Sequence, residues 1–496
     1  MKKKITYICL LIFAFTSCKD EFLTIVPETA LSSVTFFTKE ADFQQAVNAA
    51  YVPLRSIVND RAYLLGEMHS DNTYYARNIL FGATEQQEDI ADFAIPTANG
   101  VTSNVHILNQ YRLDYQIIAR TNQVLSTIDK VEFNEGSKNN LKGQAHFLRA
   151  YAYFELVRYF GKVPLHLTPV PDRQSAALPL SSEEEIFTQI IKDATEAVAL
   201  LPLKSAQEAG RATSGAARTL LANAYIVQEK WSDAEKLLLE VVNSNEYQLI
   251  PEYENAFSTS TGNKNNIESV FEVQFLEGSA GLNGSFIYNF LPRPMTPEEL
   301  KTITGTSNPQ PLTAEGNNIP TPDIIAAYEP GDERKDASIA YVTLSGSLRD
   351  NKVYPYINKF AKPHALHGNH GTNWPIYRYS EVLLFLAEAL NEQGKDGSLY
   401  LNMVRNRAGL GDAVGDMRAA IYQERRVELA FENKRWFDLV RTGRAVSVIT
   451  AYGNRIKANP QDYYYPAGAA PRSHAFSNLD LFYALPADEA ALSPHF

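Results

Sequence analysis

The chain has 496 residues, of which 45% are hydrophobic, and it carries a net charge of −11 at pH 7. The excess of 57 acidic over 46 basic side chains argues against nucleic-acid binding and against a basic patch for a membrane surface. Only two cysteines are present, Cys9 and Cys18, which excludes a disulfide framework and a thiolate zinc site in the body of the protein.

The N-terminus has the layout of a secretory signal. Three lysines at positions 2–4 precede an almost entirely apolar run over 5–15, and two small residues follow. The run is too short to span a bilayer, which needs about 20 residues, so it predicts a signal peptide over residues 1–17. A cysteine directly after the small residues resembles a bacterial lipoprotein box, in which cleavage leaves Cys18 as a lipidated first residue. Plain secretion is the alternative.

A helix is predicted near 40–58, and the segment over 60–104 that follows has loop character, with many Gly, Asn, Tyr and Thr residues. Its stretch "GEMHSDNTYYARN" combines aromatic rings with carboxylate, amide and guanidinium groups, which glycan recognition needs. The candidate ligand-binding residues in it are Asp71, Asn72, Tyr74, Tyr75 and Arg77. The alternative is that the tyrosines pack the loop onto a scaffold and Asp71 caps a turn.

The next part of the chain has a helical pattern that recurs. A helix is expected near 105–130, and "FLRAYAYFELVRYFG" places Leu148 and Ala152 as Leu220 and Ala224 are placed, 72 residues later. That offset is about two repeats of ~34–36 residues, as in tetratricopeptide proteins, whose units are pairs of helices. The stretch "FLAEALNEQG" shows the same arrangement a third time.

Two capping boxes are predicted in the same region. Ser182 with Glu185, and Ser232 with Glu235, have the Ser-x-x-Glu spacing that begins a helix. The two patterns predict helices that start at these serines and pack behind the recurring helices.

The segment over 251–375 is again irregular, with loop signals such as "TGNKNN" and "HALHGNHG" and a short alternating strand, "ESVFEVQF". Tyr288, Asn289 and Trp374 are weaker ligand-binding candidates in it, and each can equally be a packing residue. His364, His367 and His370 would share one face of a helix and suit a metal ion. Pro363 and the nearby glycines favour an exposed polar loop instead, so no metal site is predicted.

Further helices are predicted near 398–408 and 416–442. In "QERRVELAFENKRWFDLVRTG", Glu424, Glu428 and Glu432 are four residues apart and alternate with arginines. Paired carboxylates could act as acid and base, but opposite charges at this spacing pair along and between helices, and we prefer that structural interpretation. Trp231 and Trp436 are expected in the core. No phosphate-binding loop, G-x-S-x-G or H-E-x-x-H motif is present, so neither catalytic residues nor a cofactor are predicted.

Four segments resemble the SusD/RagB-like outer-membrane lipoproteins of Bacteroidetes. They are "SCKDEFLTIVPETALSSVTFFT", "QYRLDYQIIARTNQVLSTID", "LRAYAYFELVRYFGKVPL", and "YRYSEVLLFLAEALNEQG" together with "IYQERRVELAFENKRWFDLVRTGR". The resemblance extends from Cys18 to "LFYALPADE" near the C-terminus, almost the whole mature chain.

The resemblance implies an all-α body of about four tetratricopeptide-like helix pairs with large loop-rich insertions and a few short strands. It implies one domain over 18–496, with helical repeats mainly over 37–60, 105–250 and 376–450, and ligand-binding loops over 60–104 and 251–375. The implied protein is not an enzyme.

The resemblance also implies partners and a location. The protein would capture an oligosaccharide, or a peptide in the alternative, and deliver it to a SusC-like TonB-dependent β-barrel transporter. Acylated Cys18 would anchor it in outer-membrane lipid, facing the cell exterior. Lys19, Asp20 and Glu21 look like the tag that directs such lipoproteins to the cell surface.

Overall fold

The computed structural model describes residues 36–60, 63–76, 86–259, 264–313, 316–345 and 351–495. Most of these residues are helical, and the strands are few and short, which confirms the predicted fold class. The helices are α1 (Glu40–Asn59), α2 (Gln86–Ala91), α3 (Val105–Thr127), α4 (Glu135–Phe160), α5 (Arg173–Ala176), α6 (Glu183–Leu200), α7 (Ser214–Val227), α8 (Trp231–Asn243), α9 (Pro297–Thr304), α10 (Pro322–Ile325), α11 (Arg334–Ser338), α12 (Tyr379–Glu392), α13 (Ser398–Arg407), α14 (Met417–Glu428), α15 (Arg435–Arg441), α16 (Ala445–Ala458) and α17 (Ala487–Ala490).

The long helices contact one another in chain order. Helix α3 packs on α4, α6 on α7, α8 on α12, and α13 on α14, and further contacts join α4 to α6 and α7 to α8. The contacts of α4 with α6 and of α7 with α8 are the two helix pairs that the sequence predicted. Small residues allow the close packing, since Ala150, Ala152, Ala222 and Ala224 are fully buried.

In the parts of the chain that the structure describes, the strands form four separate two-stranded sheets. They are β1 (Thr73–Ala76) with β4 (Gly316–Pro320), β2 (Val101–Thr102) with β8 (Leu485–Pro486), β3 (Ser269–Val273) with β7 (Trp374–Arg378), and β5 (Ile339–Leu344) with β6 (Lys352–Ile357). Only the β2–β8 pair is parallel. Two of the sheets, β1–β4 and β2–β8, join segments of the chain that are more than 200 residues apart, whereas β3–β7 and β5–β6 lie within 269–378.

The predicted capping boxes have opposite outcomes. At α6, Ser182 Oγ accepts from the Glu185 N–H at 3.3 Å, and Glu185 Oε2 accepts from the Ser182 N–H at 2.8 Å, which confirms the first box. The second was wrong: α8 begins at Trp231, and its N-cap residue, Lys230, makes no side-chain cap. Ser232 is already inside the helix, and Glu235 instead accepts from Gln393 at 2.7 Å.

The helix predicted near 416–442 is in fact two helices, α14 and α15. The break lies where Phe431 and Asn433 adopt positive φ angles of 71° and 61°. A helix cannot continue through such left-handed residues, so the chain turns there.

The acidic and basic residues of this region form a buried ion-pair network, which confirms their structural interpretation. Arg334, fully buried, donates to Glu428 at 3.0 Å, and Arg378 bridges Glu428 at 2.8 Å and Glu432 at 2.7 Å. Such pairing satisfies charges that could not otherwise be removed from water. Trp436 is 1% exposed and lies in the core, as predicted. Trp231 is partly buried and packs against the core.

Within the described ranges, no helix has the length and apolarity that crossing a membrane would require.

Candidate ligand-binding site

Asp71 is buried beneath two arginines. Its carboxylate accepts from Arg435 Nε at 2.8 Å and Nη2 at 3.1 Å, and it lies 2.9 Å from Arg426 Nη2. Burial alone would raise the pKa of Asp71, but the two guanidinium charges lower it to about 2. The carboxylate is therefore ionised and already paired within the chain.

The neighbouring candidates are buried as well. Asn72 donates to Glu67 Oε1 at 3.0 Å and accepts from Arg426 Nε at 2.9 Å. The Tyr74 hydroxyl forms short hydrogen bonds with Asp92 and Tyr465. Tyr75 is only 2% exposed. Arg77 and Cys18 lie outside the described residues.

The weaker candidates occupy different surroundings. The Tyr288 hydroxyl is 2.6 Å from His364 Nε2, and Asn289 Oδ1 accepts from Arg293 at 3.3 Å. Trp374 lies in an aromatic cluster and stacks on Phe360 with 5.0 Å between ring centroids. All three candidates are buried.

The candidate residues that the structure describes thus pack into the body of the protein. Their side chains are not displayed on the surface, and the polar atoms of Asp71, Asn72 and Asn289 bond to other residues of the chain. This arrangement favours the packing alternative at each position. A direct role for these residues in binding a ligand stays a prediction, and it would require the segments that hold them to open.

The three histidines lie in a loop, as expected, in which Pro363, Ala365 and Leu366 are exposed and His367 is partly exposed, but the other two histidines are buried. His370 is fully buried and His364 is 7% exposed, because they pack against Tyr288 and Phe286. No group of three His, Cys, Asp or Glu side chains in the described parts of the chain could hold a metal ion.

A surface depression of about 300 Å³ lies beside the buried candidates. Two loops form it: residues 93–97, which follow α2, and residues 472–484, which precede β8. We call it the loop depression. Its lining residues are His69, Phe93, Ala94, Ile95, Pro96, Thr97, Arg472, His474, Asn478, Asp480, Phe482, Tyr483 and Ala484.

Hydrogen bonds hold the two loops together. The Phe476 N–H donates to the Asp92 carbonyl at 3.0 Å, and Arg472 forms an ion pair with Asp89. The Tyr483 hydroxyl donates to the Leu65 carbonyl at 2.7 Å, at the π-helical turn Leu64–Met68. The walls of the depression are therefore fixed by the surrounding fold.

His69 forms the aromatic floor of the loop depression. Its ring centroid is 3.9 Å from that of Phe93 and 5.0 Å from that of Tyr483. Burial lowers the pKa of His69 to about 3, so the imidazole is neutral. Nδ1 lies 2.8 Å from the Ile90 carbonyl, which can only accept, so Nδ1 carries the proton and Nε2 is left as an acceptor.

The rim of the loop depression offers chemistry suited to a sugar. Phe482 is 36% exposed, which leaves part of an aromatic ring available to the apolar side of a pyranose. His474, Asn478 and Asp480 are exposed around it and can exchange hydrogen bonds with hydroxyl groups. An aromatic face with polar groups at its edge is the arrangement predicted for "GEMHSDNTYYARN".

Sequence reasoning missed the segment over 472–484. A signal was present, since "PAGAAPRSHAFSN" has the Gly, Pro and Ser content of a loop and carries Arg, His, Phe and Asn together. Its proximity to residues 93–97 could not be predicted from local sequence patterns, because the paired residues Arg472 and Asp89 are 383 positions apart.

A second groove, of about 620 Å³, lies between α3, the loop over 164–176 and the C-terminal residues. Two of its polar side chains already have partners: Tyr115 donates to the Pro164 carbonyl at 2.6 Å, and the Asn122 amide donates to the His166 carbonyl at 3.0 Å. Proline, tyrosine and aliphatic side chains dominate the rest, including Val170, which is 43% exposed. We call it the proline groove.

Comparisons with known proteins place the chain in context. The profile of the SusD family matches residues 329–493, and the profile described as "Starch-binding associating with outer membrane" matches residues 21–226. SusD-like protein P2 of Formosa agariphila is 27% identical, over 99% of this chain and 97% of its own length. A SusD-like protein of Bacteroides ovatus is 26% identical, over 89% of this chain and 82% of its own length.

Solved structures share the fold. A laminarin binding SusD-like protein superposes with a TM-score of 0.72 at 24% identity and covers 92% of this chain and 98% of its own. A SusD-like carbohydrate binding protein from Bacteroides fragilis reaches a TM-score of 0.75 at 22% identity, covering 93% and 99%. With matching profiles at both ends, full-length relatives and the shared helical architecture, this chain belongs to the SusD/RagB-like family.

Proposed function

We propose that this protein is a cell-surface lipoprotein that binds oligosaccharides in the loop depression. The observation that carries the proposal is the ring of Phe482, a residue 36% exposed, with His474, Asn478 and Asp480 around it, in a depression of about 300 Å³. Stacking on an aromatic face combined with hydrogen bonds at the ring edge is how a protein selects a polar ligand that also has apolar faces.

Names of similar proteins support a carbohydrate ligand. One structural neighbour is called a laminarin binding protein, and another is surface glycan-binding protein A from Bacteroides uniformis. The profile that matches residues 21–226 is described by starch binding and the outer membrane. Laminarin and starch are therefore the first glycans to test on this chain.

The proposed mechanism is capture and delivery without bond cleavage. Acylated Cys18 anchors the protein in the outer membrane, the folded body faces the exterior, and a SusC-like TonB-dependent barrel receives the ligand. Acidic and basic groups of the core, such as Arg378 and Glu428, form ion pairs with each other. They are therefore unsuited to acid–base catalysis.

Binding and turnover are measured together on the wild-type protein. Titration with laminarin, starch and other oligosaccharides is expected to give micromolar affinity for at least one, about −8 kcal/mol, with no reducing ends released. Hydrolysis of the bound glycan would contradict the proposal. Mild-detergent purification from native membranes should recover a large β-barrel protein, and a lone monomer would contradict the delivery step.

Peptide capture is the second candidate function, and the proline groove favours it. The tyrosine, proline and aliphatic side chains that line about half of the groove suit the apolar side chains of a bound peptide. Screening a peptide library alongside the glycan panel separates the two. If the wild type binds no glycan and Phe482→Ala binds a peptide as tightly as the wild type does, the second function is supported and the first is contradicted.

A further inference from the structure

The floor of the loop depression carries a hydrogen-bond acceptor that the chain itself does not use. His69 lines the depression and is 5% exposed. Its Nδ1–H donates to the Ile90 carbonyl at 2.8 Å, which makes Nε2 the acceptor nitrogen. No described residue donates a hydrogen bond to Nε2, and the fold does not bury this atom completely. The acceptor is therefore within reach of a molecule that fills the depression.

Aromatic neighbours hold the imidazole of His69 in one orientation. Its ring centroid is 3.9 Å from that of Phe93 and 5.0 Å from that of Tyr483. Trp436 meets the ring edge to face, with 4.6 Å between the centroids. A half turn of the imidazole would break the hydrogen bond from Nδ1 to the Ile90 carbonyl. Because the three neighbouring rings are themselves buried, Nε2 is an acceptor at a fixed place.

The imidazole of His69 is also uncharged. Burial lowers the pKa of His69 to about 3, so at neutral pH Nε2 has a lone pair and no proton. A hydroxyl group can donate a hydrogen bond to such a nitrogen. A methyl ether, an acyl ester, a carboxylate and a sulfate have only acceptor atoms, so none of them can. The floor of the depression therefore distinguishes sugar substituents by their ability to donate.

Ligand binding changes the surroundings of this acceptor. In the free protein a water molecule can donate to Nε2, because the atom is open to solvent. A ligand in the depression takes the place of that water and must supply a donor of its own. Without a donor, the acceptor is enclosed and unpaired. Sites built to bond a hydroxyl group reject analogues that lack it for this reason.

We propose that His69 is a specificity-determining residue of the loop depression, with Nε2 accepting a hydrogen bond from one hydroxyl group of the bound oligosaccharide. The sugar unit at the floor carries this hydroxyl unsubstituted. The depression therefore takes glycans with a free hydroxyl at that position and rejects those in which it is methylated, acylated or sulfated. The inference rests on the proposed glycan binding, and it adds a selective contact to the aromatic face of Phe482.

The test removes single hydroxyl groups from the ligand and the acceptor from the protein. Maltotriose and laminaritriose, fragments of starch and laminarin, are titrated into the full-length protein by calorimetry, together with analogues in which one hydroxyl is replaced by hydrogen. One analogue is expected to bind the wild type at least tenfold more weakly than its parent. In His69→Phe, which keeps a flat ring but has no acceptor, that analogue and its parent should bind equally. Penalties that are the same in both proteins at every hydroxyl would overturn the inference.

A control variant and a second measurement complete the test. His495→Phe makes the same change at an exposed histidine outside the depression and should keep the wild-type preference among the analogues. If His69→Phe does not fold, nitrogen-15 NMR of the histidine-labelled wild type decides. The Nε2 resonance of His69 should move further when the parent trisaccharide binds than when the deoxy analogue binds, and equal shifts refute the contact.

The outcomes separate this inference from the proposed function. If the wild type binds an oligosaccharide but shows no effect at His69, this inference alone is overturned. If the wild type binds no oligosaccharide of the starch and laminarin series or of the wider glycan panel, the proposed function is overturned and this inference with it.

Discussion

Arg435 holds Asp71 through two hydrogen bonds, from Nε to Oδ1 at 2.8 Å and from Nη2 to Oδ2 at 3.1 Å. The pair joins the loop that follows the π-helical turn to the start of α15, 364 positions away. Asp71 thus attaches the loop beside the loop depression to the helical body, and its negative charge is paired within the chain.

Loss of this charge is expected to destabilise the fold. Asp71→Asn leaves Arg435 and Arg426 facing a neutral amide, and removing one partner of a buried pair costs about 3 kcal/mol or more of unfolding free energy. Denaturant unfolding measures it. Asp488→Asn removes a carboxylate that is 65% exposed and 3.8 Å from Arg112, and should change stability by less than about 0.5 kcal/mol. Equal effects of the two changes would contradict the assignment.

The same residue predicts an acid-dependent loss of stability. The pKa of Asp71 is lowered from 3.8 to about 2 on folding, so its contribution is complete above pH 4 and disappears as the pH falls through about 2. The shift corresponds to about 2 kcal/mol. The difference in unfolding free energy between the wild type and Asp71→Asn should therefore narrow by about 2 kcal/mol between pH 4 and 2. A constant difference across that range would show that the charge is not the cause.

The two serines of the predicted capping boxes provide a matched pair. Ser182→Ala should cost about 1 kcal/mol, because it removes the cap of α6. Ser232→Ala lies inside α8 and should be neutral or stabilising by about 0.4 kcal/mol, since alanine is the better helix former. Thermal or chemical unfolding compares them. A loss at Ser232 as large as that at Ser182 would restore the rejected second cap.

Gly397 tests the close approach of α13 to α12. A Cβ at this position would lie 2.4 Å from the Ala387 carbonyl oxygen, a backbone atom that cannot swing away. Gly397→Ala is expected to cost about 1–3 kcal/mol through overpacking. Gly411→Ala, where a Cβ meets nothing within 4 Å, should change the unfolding free energy by less than about 0.5 kcal/mol. Equal unfolding free energies of the two variants would mean that α12 and α13 do not approach each other as closely as the structure shows.

The sequence was most informative where structure is local. Periodic apolar residues predicted the long helices, and the Ser182 spacing predicted the start of α6, because both depend on neighbours a few positions away. The break at Phe431 and Asn433 was missed because the charged helical pattern continues through it; Asn433 is of a type enriched in the left-handed conformation, whereas Phe431 is not. Polar and aromatic residues of the stretch around Asp71 were recognised as unusual, but their burial depends on arginines hundreds of positions later.

The proposed ligand site was the least predictable feature. Phe93 and Phe482 line one depression only because the C-terminal segment returns to α2, and no periodicity encodes that return. The predicted loop region over 60–104 contributes one wall of it, residues 93–97, whereas the other wall came from a part of the chain that sequence reasoning had not singled out.

Calorimetric titration of the Phe482→Ala variant with an oligosaccharide that the wild type binds is the most direct test of glycan capture in the loop depression. The account predicts at least a tenfold loss of affinity, about 1.4 kcal/mol, as the stacking surface is removed. Tyr341→Ala, which removes a tyrosine 52% exposed on β5, should bind as the wild type does. Wild-type affinity in Phe482→Ala, with both variants folded, would contradict the central claim.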